Sequence, residues 1–324
     1  NAIRCWKSAR RCEGHFVIFL GFFIAIGWGL TFAVTKGSVE HVSPLLFVTL
    51  RFLIAAMALV PVIVWSQFRR SRTAVSGLNS LSLKSLFSGL MVGLLLFIGY
   101  WLQSIGLRST SASQAGFIMG LAPVMVPFLA IIFLGVTVPV KAWMGVLLVI
   151  AGLPLLSLDS ALVMSSGTFY CIASTFFFSF HVVLLQHLLK TIPPVTLTFL
   201  QIVSTGLVSL GAVAYLEPVS LSTVLEILRD PSLLFSLLFC GIGATAIATL
   251  VQCYLQQNLS IVKCALIFST EPVFAAIFGY ILLDEHMSVL QLFGAALVFL
   301  GVLEAELGVI VSIRLFSCVQ RALK

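Results

Sequence analysis

Polar residues in this chain come in short clusters, separated by long apolar stretches that lack the alternation of strands. Ten stretches are candidate spans: Phe16–Thr35, Pro44–Trp65, Leu86–Leu107, Ser113–Leu134, Ala142–Leu158, Gly167–Leu189, Val195–Tyr215, Leu233–Gln256, Cys264–Leu283 and Val289–Val311. A helix rising about 1.5 Å per residue needs roughly 20 such residues to cross a hydrocarbon core about 30 Å thick. Backbone in lipid must satisfy its own hydrogen bonds, so the pattern predicts an all-α membrane protein of ten transmembrane helices rather than a barrel. The longest polar stretches, Ser66–Ser85 and Leu216–Ser232, are too short for a second soluble domain. Composition agrees: 60% of residues are hydrophobic and 9% charged, against about 25% charged in a soluble domain.

The second half of the pattern repeats the first. Displaced by 149 residues, Pro123 falls on Pro272 (272 − 123 = 149), Gly145 on Gly294 and Gly152 on Gly301. Gln103/Gln252, Ser111/Ser260 and Ile118/Ile267 coincide in the same register. One proline and two glycines weigh far more here than chance matches at Leu or Val. Five spans per repeat is an odd number, so the repeats are expected to be inverted, as in many transporters with a site between related halves. The expected division is an N-terminal segment at 1–15, five-helix repeats at 16–165 and 166–311, and a C-terminal tail at 312–324.

Charge gives the orientation. Of 18 basic residues, fourteen share one side of a ten-span topology, among them Arg4, Lys7, Arg69, Arg70, Lys141, Lys190, Lys263 and Lys324. Three (Lys36, Arg108 and Arg229) fall on the other side, and Arg51 lies inside a span. By the positive-inside rule both termini are cytoplasmic. The net charge of +7 therefore reflects topology and contact with anionic membrane lipid, and nucleic acid is not expected as a partner. Phe16–Thr35 is longer than a signal core and no small-residue cleavage site follows it, so it is read as a retained helix. The seven cysteines show no paired ligand spacing, so neither disulfides nor a metal or cofactor site is expected.

Ala25-Ile-Gly-Trp28-Gly-Leu-Thr-Phe32, Pro44 followed by Arg51-Phe-Leu-Ile-Ala-Ala, and Leu107-Arg-Ser-Thr-Ser-Ala-Ser113 running into Leu121-Ala-Pro123-Val resemble the first, second and fourth helices of EamA-type proteins of the drug/metabolite transporter superfamily. Thr270-Glu271-Pro272-Val-Phe-Ala-Ala, Leu282-Leu-Asp-Glu285 and Gly294 to Gly301 are similar to their ninth and tenth helices. The resemblance covers about Phe16 to Val311. Two features depart from it: Gly135-Val136 replaces the acidic residue expected after the fourth helix, and Phe176, Phe177, Phe178 and His181 occupy the core of the sixth. The resemblance implies a secondary transporter of a small metabolite, an exporter of amino acids or related compounds, in the bacterial cytoplasmic membrane.

Several residues are candidates for the transport machinery. Gly89-xxx-Gly93 and Gly116-xxx-Gly120 permit close helix approach. Pro123 and Pro272 each remove a donor within a span, as a kink or as paired bends near mid-membrane. Arg51 lies seven residues beyond Pro44, about 10 Å into its span, as an anchor or a gate. Glu271 is either tied to backbone freed by Pro272 or free to accept a proton or bind an amine. His181 is a satisfied polar contact or a proton-exchanging group. Trp28, Tyr100, Trp101, Gln103, Gln252 and Tyr254, with Phe176–Phe178, supply polar and aromatic surface for an amphipathic cavity. The expected solute site is lined by Trp28, Tyr100, Met119, His181, Gln252 and Glu271, with the fifth and tenth spans peripheral to it.

Three functional classes follow. The first is the metabolite exporter, working by alternating access with coupling to protons or a counter-solute. The second is an exchanger or importer of a charged metabolite such as a nucleotide sugar, a sugar phosphate or S-adenosylmethionine. The third, a membrane enzyme or receptor, is disfavoured: there are no paired intramembrane aspartates, no His-Glu-x-x-His, no Gly-x-Ser-x-Gly and no Gly-x4-Gly-Lys-Ser/Thr phosphate loop.

Overall fold

The computed structural model describes residues 2–71, 82–122, 125, 129, 140–157, 165–259, 264, 267–301 and 304. Pro123, Lys263, Gly135-Val136 and the tail beyond 304 lie outside the described residues. The chain forms α1 (Ala2–Val39), α2 (Pro44–Ser71), α3 (Leu83–Ser109), α4 (Ala112–Met119), α5 (Val140–Ser157), α6 (Ser166–Leu188) and α7 (Pro194–Leu216). There follow α8 (Leu221–Arg229), α9 (Pro231–Asn258), α10 (Glu271–Leu283) and α11 (Val289–Gly301). Among the described residues there is no strand.

Among the described residues, six helices are long and apolar enough to cross a membrane: α1, α2, α3, α6, α7 and α9. The apolar parts of α5, α10 and α11 are shorter. The chain is an integral membrane protein built of helices. The stretch Leu216–Ser232, read from sequence as a polar connection, contains helix α8. Ser220 caps its start by accepting from Thr223 N–H at 3.2 Å. Leu221 and Leu225 are exposed, while Ile227 turns inward.

Small residues bring the helices together, since lipid offers no hydrophobic drive for association. A Cβ on Gly89 would stand 2.5 Å from Leu200 Cβ, and one on Gly93 2.6 Å from Ser204 Cβ, so α3 rests against α7 along this pair. Helix α3 packs on α6 and α7, and its counterpart 149 residues later, α9, packs on α1 and α2. The glycines of α5 and α11 meet directly. A Cβ on Gly152 would stand 2.8 Å from Gly294 O, and one on Gly301 2.6 Å from Gly145 O. Register pairs 145 with 294 and 152 with 301, yet the contacts are 152 to 294 and 145 to 301.

Two of the three cations expected on the side poor in basic residues serve helix ends. Lys36 Nζ donates to Leu107 O and Thr110 O at 3.1 and 2.8 Å, and Arg108 Nε donates to Val39 O at 3.0 Å. Both cations serve carbonyls at helix C-termini. Glu285 receives the N–H groups of Ala112 and Ser113 at 2.7 and 2.9 Å and the Ser113 hydroxyl at 2.8 Å, which closes the N-terminus of α4. Each charge sits where terminal backbone groups need a partner and the helix dipole favours its sign.

Candidate functional site

Two helix breaks lie at equivalent positions in the two halves. Helix α4 stops at Met119 and the chain turns through Gly120–Leu121; helix α10 starts at Glu271 after a turn through Ser269–Thr270. Those turns are 149 residues apart (269 − 120, 270 − 121). Each is closed by the same short bond: Leu121 N–H to Ile118 O at 3.0 Å, and Thr270 N–H to Ile267 O at 3.3 Å. The sequence suggested that Pro272 kinks a continuous helix. Instead it stands in the first turn of α10, where its missing N–H has no intrahelical partner to lose. The breaks are brought side by side by glycine. A Cβ on Gly120 would stand 2.6 Å from Pro272 Cγ, and Gly116 faces Ala275.

Beside the breaks is a cavity of about 110 Å³. Trp28, Tyr100, Met119, His181, Gln252 and Glu271 all line it, together with Pro272. Its walls come from α1, α3, α4, α6, α9 and α10, and among the described residues α5 and α11 contribute none. Four register pairs line it from both halves: Tyr100 and Thr249, Gln103 and Gln252, Met119 and Phe268, Ala122 and Glu271. Thr249 and Phe268 were missed from sequence, although the 149-residue displacement of Tyr100 and Met119 points to them.

The walls are held by specific contacts. Residues 239–247 of α9 form a π-helical stretch, Phe239–Ile247, a wide winding that offers carbonyls outside the usual α-helical pattern and recurs at functional sites. Ala244 O accepts from Trp28 Nε1 at 2.9 Å. The Trp28 ring also lies 5.2 Å from Phe268. Tyr100 meets Phe178 edge-on at 4.9 Å and Phe52 at 5.2 Å. Met119 Sδ lies 3.3 Å from Thr175 Oγ1. His181 Nε2 pairs with Gln201 Oε1 at 2.8 Å, so this histidine is a satisfied contact as well as a wall residue. Gln201 itself is fully buried on α7, and no sequence pattern singled it out.

Arg51 does not line the cavity but stands behind one of its walls. It is 2% exposed, with Cζ 4.4 Å from the Tyr100 ring centroid. Its Nε donates to Thr245 Oγ1 at 2.7 Å, and Thr245 Oγ1 donates to Cys240 O at 2.7 Å. The guanidinium thus links α2 to the π-helical stretch, while its Nη2 has no hydrogen-bond partner. No described residue donates a hydrogen bond to the Glu271 carboxylate, which leaves the tie to freed backbone without support. Tyr254 and Phe176 are exposed on outward faces, and Trp101 stacks on Phe97; of the three consecutive phenylalanines only Phe178 reaches the cavity.

Comparison with known proteins places this architecture. The chain is 28% identical over 286 residues to an uncharacterized transporter of Archaeoglobus fulgidus, covering 88% of this chain and 84% of that one. It is 27% identical to a WAT1-related chloroplastic protein of Arabidopsis thaliana, over 90% of this chain and 69% of the relative. It is also 27% identical to an S-adenosylmethionine/S-adenosylhomocysteine transporter of Chlamydia muridarum, over 88% of this chain and 89% of the relative. A solved crystal structure of a protein shares the fold with a TM-score of 0.64 at 18% identity, covering 90% of this chain and 97% of that one. The EamA-like transporter family matches twice, over residues 15–158 and 165–304, and the chain belongs to that family.

Proposed function

We propose that this protein is a secondary transporter that moves a small organic metabolite, an amino acid or related compound, out of the cell across a bacterial cytoplasmic membrane by alternating access. The observation that carries the reading is the cavity beside two helix breaks, lined from both halves by residues 149 positions apart. Interrupted segments at corresponding places in two halves are the pattern expected of a transport site. The pairing of Gly152 with Gly294 and of Gly145 with Gly301 supports inverted repeats at 16–165 and 166–311. A two-fold axis exchanges the members of such a contact, so that each position meets the other's equivalent. The same inversion would alternate the two open states, with protons or a counter-solute driving the cycle.

Counterflow in liposomes with a metabolite panel tests this reading. Exchange of an amino acid or related compound is the expected result; no exchange of any solute would overturn it. The S-adenosylmethionine relative supports a second reading, exchange of a charged metabolite. A cavity of about 110 Å³ is small beside the roughly 300–1,000 Å³ of sites for larger ligands, so that reading requires a wider open state. Nucleotide sugars and sugar phosphates are less favoured, because among the described residues neither Lys nor Arg lines the cavity.

Orientation has its own test. With ten spans and both termini cytoplasmic, reporter fusions after Lys324 and within Leu216–Ser232 will report opposite sides of the membrane. The same side at both positions would mean that the helix count or the inversion is wrong.

A further inference from the structure

Resting on the transport reading above, and narrowing its amino acids and related compounds to the latter, we infer that the solute is a monoamine: an organic molecule with one ammonium group, an apolar body and no free carboxylate. Glu271 is the single carboxylate among the described residues that line the cavity, and no described residue donates a hydrogen bond to it. A carboxylate in low-dielectric surroundings without a partner is costly, and an ammonium group supplies both the charge and the donors it lacks. The walls suit the same group. Two aromatic pairs, Trp28 with Phe268 and Tyr100 with Phe178, each join one half of the chain to the other. Their π faces attract a desolvated cation and accept an apolar body equally well.

The charge count limits the ligand to one ammonium. At the position equivalent to Glu271 the other half carries Ala122, so the two-fold arrangement supplies one acid instead of two. A carboxylate on the solute would find no cationic side chain among the described lining residues. Arg51 is buried behind Tyr100, and His181 is engaged by Gln201. A zwitterionic amino acid would therefore bring a charge that the cavity leaves unpaired, whereas an amine, or an amino acid with its carboxyl group masked, would not.

Three probes with one apolar body separate the possibilities: isopentylamine, isopentanol and isovalerate. Calorimetric binding to the purified full-length protein in nanodiscs is expected to rank the amine at least about tenfold tighter than the other two. Glu271→Gln should erase the difference between amine and alcohol. Ala122→Glu, which adds the missing second acid, should raise affinity for 1,5-pentanediamine over isopentylamine. Equal binding of the amine and the alcohol, tighter binding of isovalerate, or an amine preference surviving in Glu271→Gln would overturn the inference. Amine-selective binding without counterflow of any solute would refute the transport reading and leave the recognition standing. Counterflow with a preference for isovalerate would do the reverse.

Discussion

Arg51→Ala is expected to destabilise the protein and stop transport, while Arg51→Met regains much of the stability without the transport. The guanidinium is among the largest fully buried side chains, so truncation leaves a hole as well as broken contacts. Its hydrogen bond to Thr245 contributes about 1.5–3 kcal/mol if it behaves like other bonds from charged donors. The contact with Tyr100 adds about 0.5–2 kcal/mol. Against these stands the cost of a buried cation whose Nη2 is unpartnered and which has no ion-pair partner among the described residues. Methionine removes that cost and fills most of the space with a flexible apolar chain. It cannot grip Thr245 or hold the Tyr100 ring. Thermal unfolding of both variants, with counterflow of the surviving folded protein, checks the separation. If Arg51→Met transports like the wild type, Arg51 has no part in positioning the cavity wall.

What could be read in the sequence depended on whether the signal was periodic or spatial. The six long apolar helices, and the register that pairs Gln103 with Gln252, follow from hydropathy and from identities at a fixed spacing. Of the six expected cavity residues, His181, Gln252 and Glu271 carry polar groups that are costly to place in lipid and so face inward; Tyr254 and Phe176, on outward faces, show that aromatic character alone is no guide. The helix break was only half legible. Pro272 marked the site, but a proline inside an apolar stretch fits a bent helix and a restarted one alike. The difference lies in Thr270 turning back to Ile267 through its N–H and its hydroxyl, a choice that a threonine permits but does not dictate. The π-helical stretch Phe239–Ile247 was hidden for the same reason. Its partners, Trp28 at Ala244 O and Arg51 at the Thr245 hydroxyl, are both distant in sequence. Helix α8 escaped notice because its polar residues suit a loop as well as an amphipathic surface helix.

The second large effect is expected from one methyl group on α1. Gly27 and Gly29 are two residues apart on the same helix and have opposite surroundings. A Cβ on Gly27 would meet nothing within 4 Å, whereas one on Gly29 would stand 2.5 Å from Phe274 Cβ, 2.9 Å from Ala275 N and 3.0 Å from Glu271 O. Two of those atoms belong to the backbone of α10 and cannot rotate away. Widening the 2.9 Å approach to the 3.4 Å of an ordinary contact requires α1 and α10 to part. Overpacking of this kind costs about 1–3 kcal/mol. Here it also displaces Trp28 and Glu271, which sit on the two helices being separated and line the same cavity. Gly29→Ala should therefore lower thermal stability and reduce counterflow by about tenfold or more, the loss that follows when about 1.4 kcal/mol of binding disappears. Gly27→Ala should leave counterflow unchanged and hold or raise stability, since alanine is the better helix former by up to about 1 kcal/mol. Comparing the two variants holds composition constant and varies only the contact. Equal stability and equal transport in both would mean that α1 and α10 are not seated against each other at Gly29.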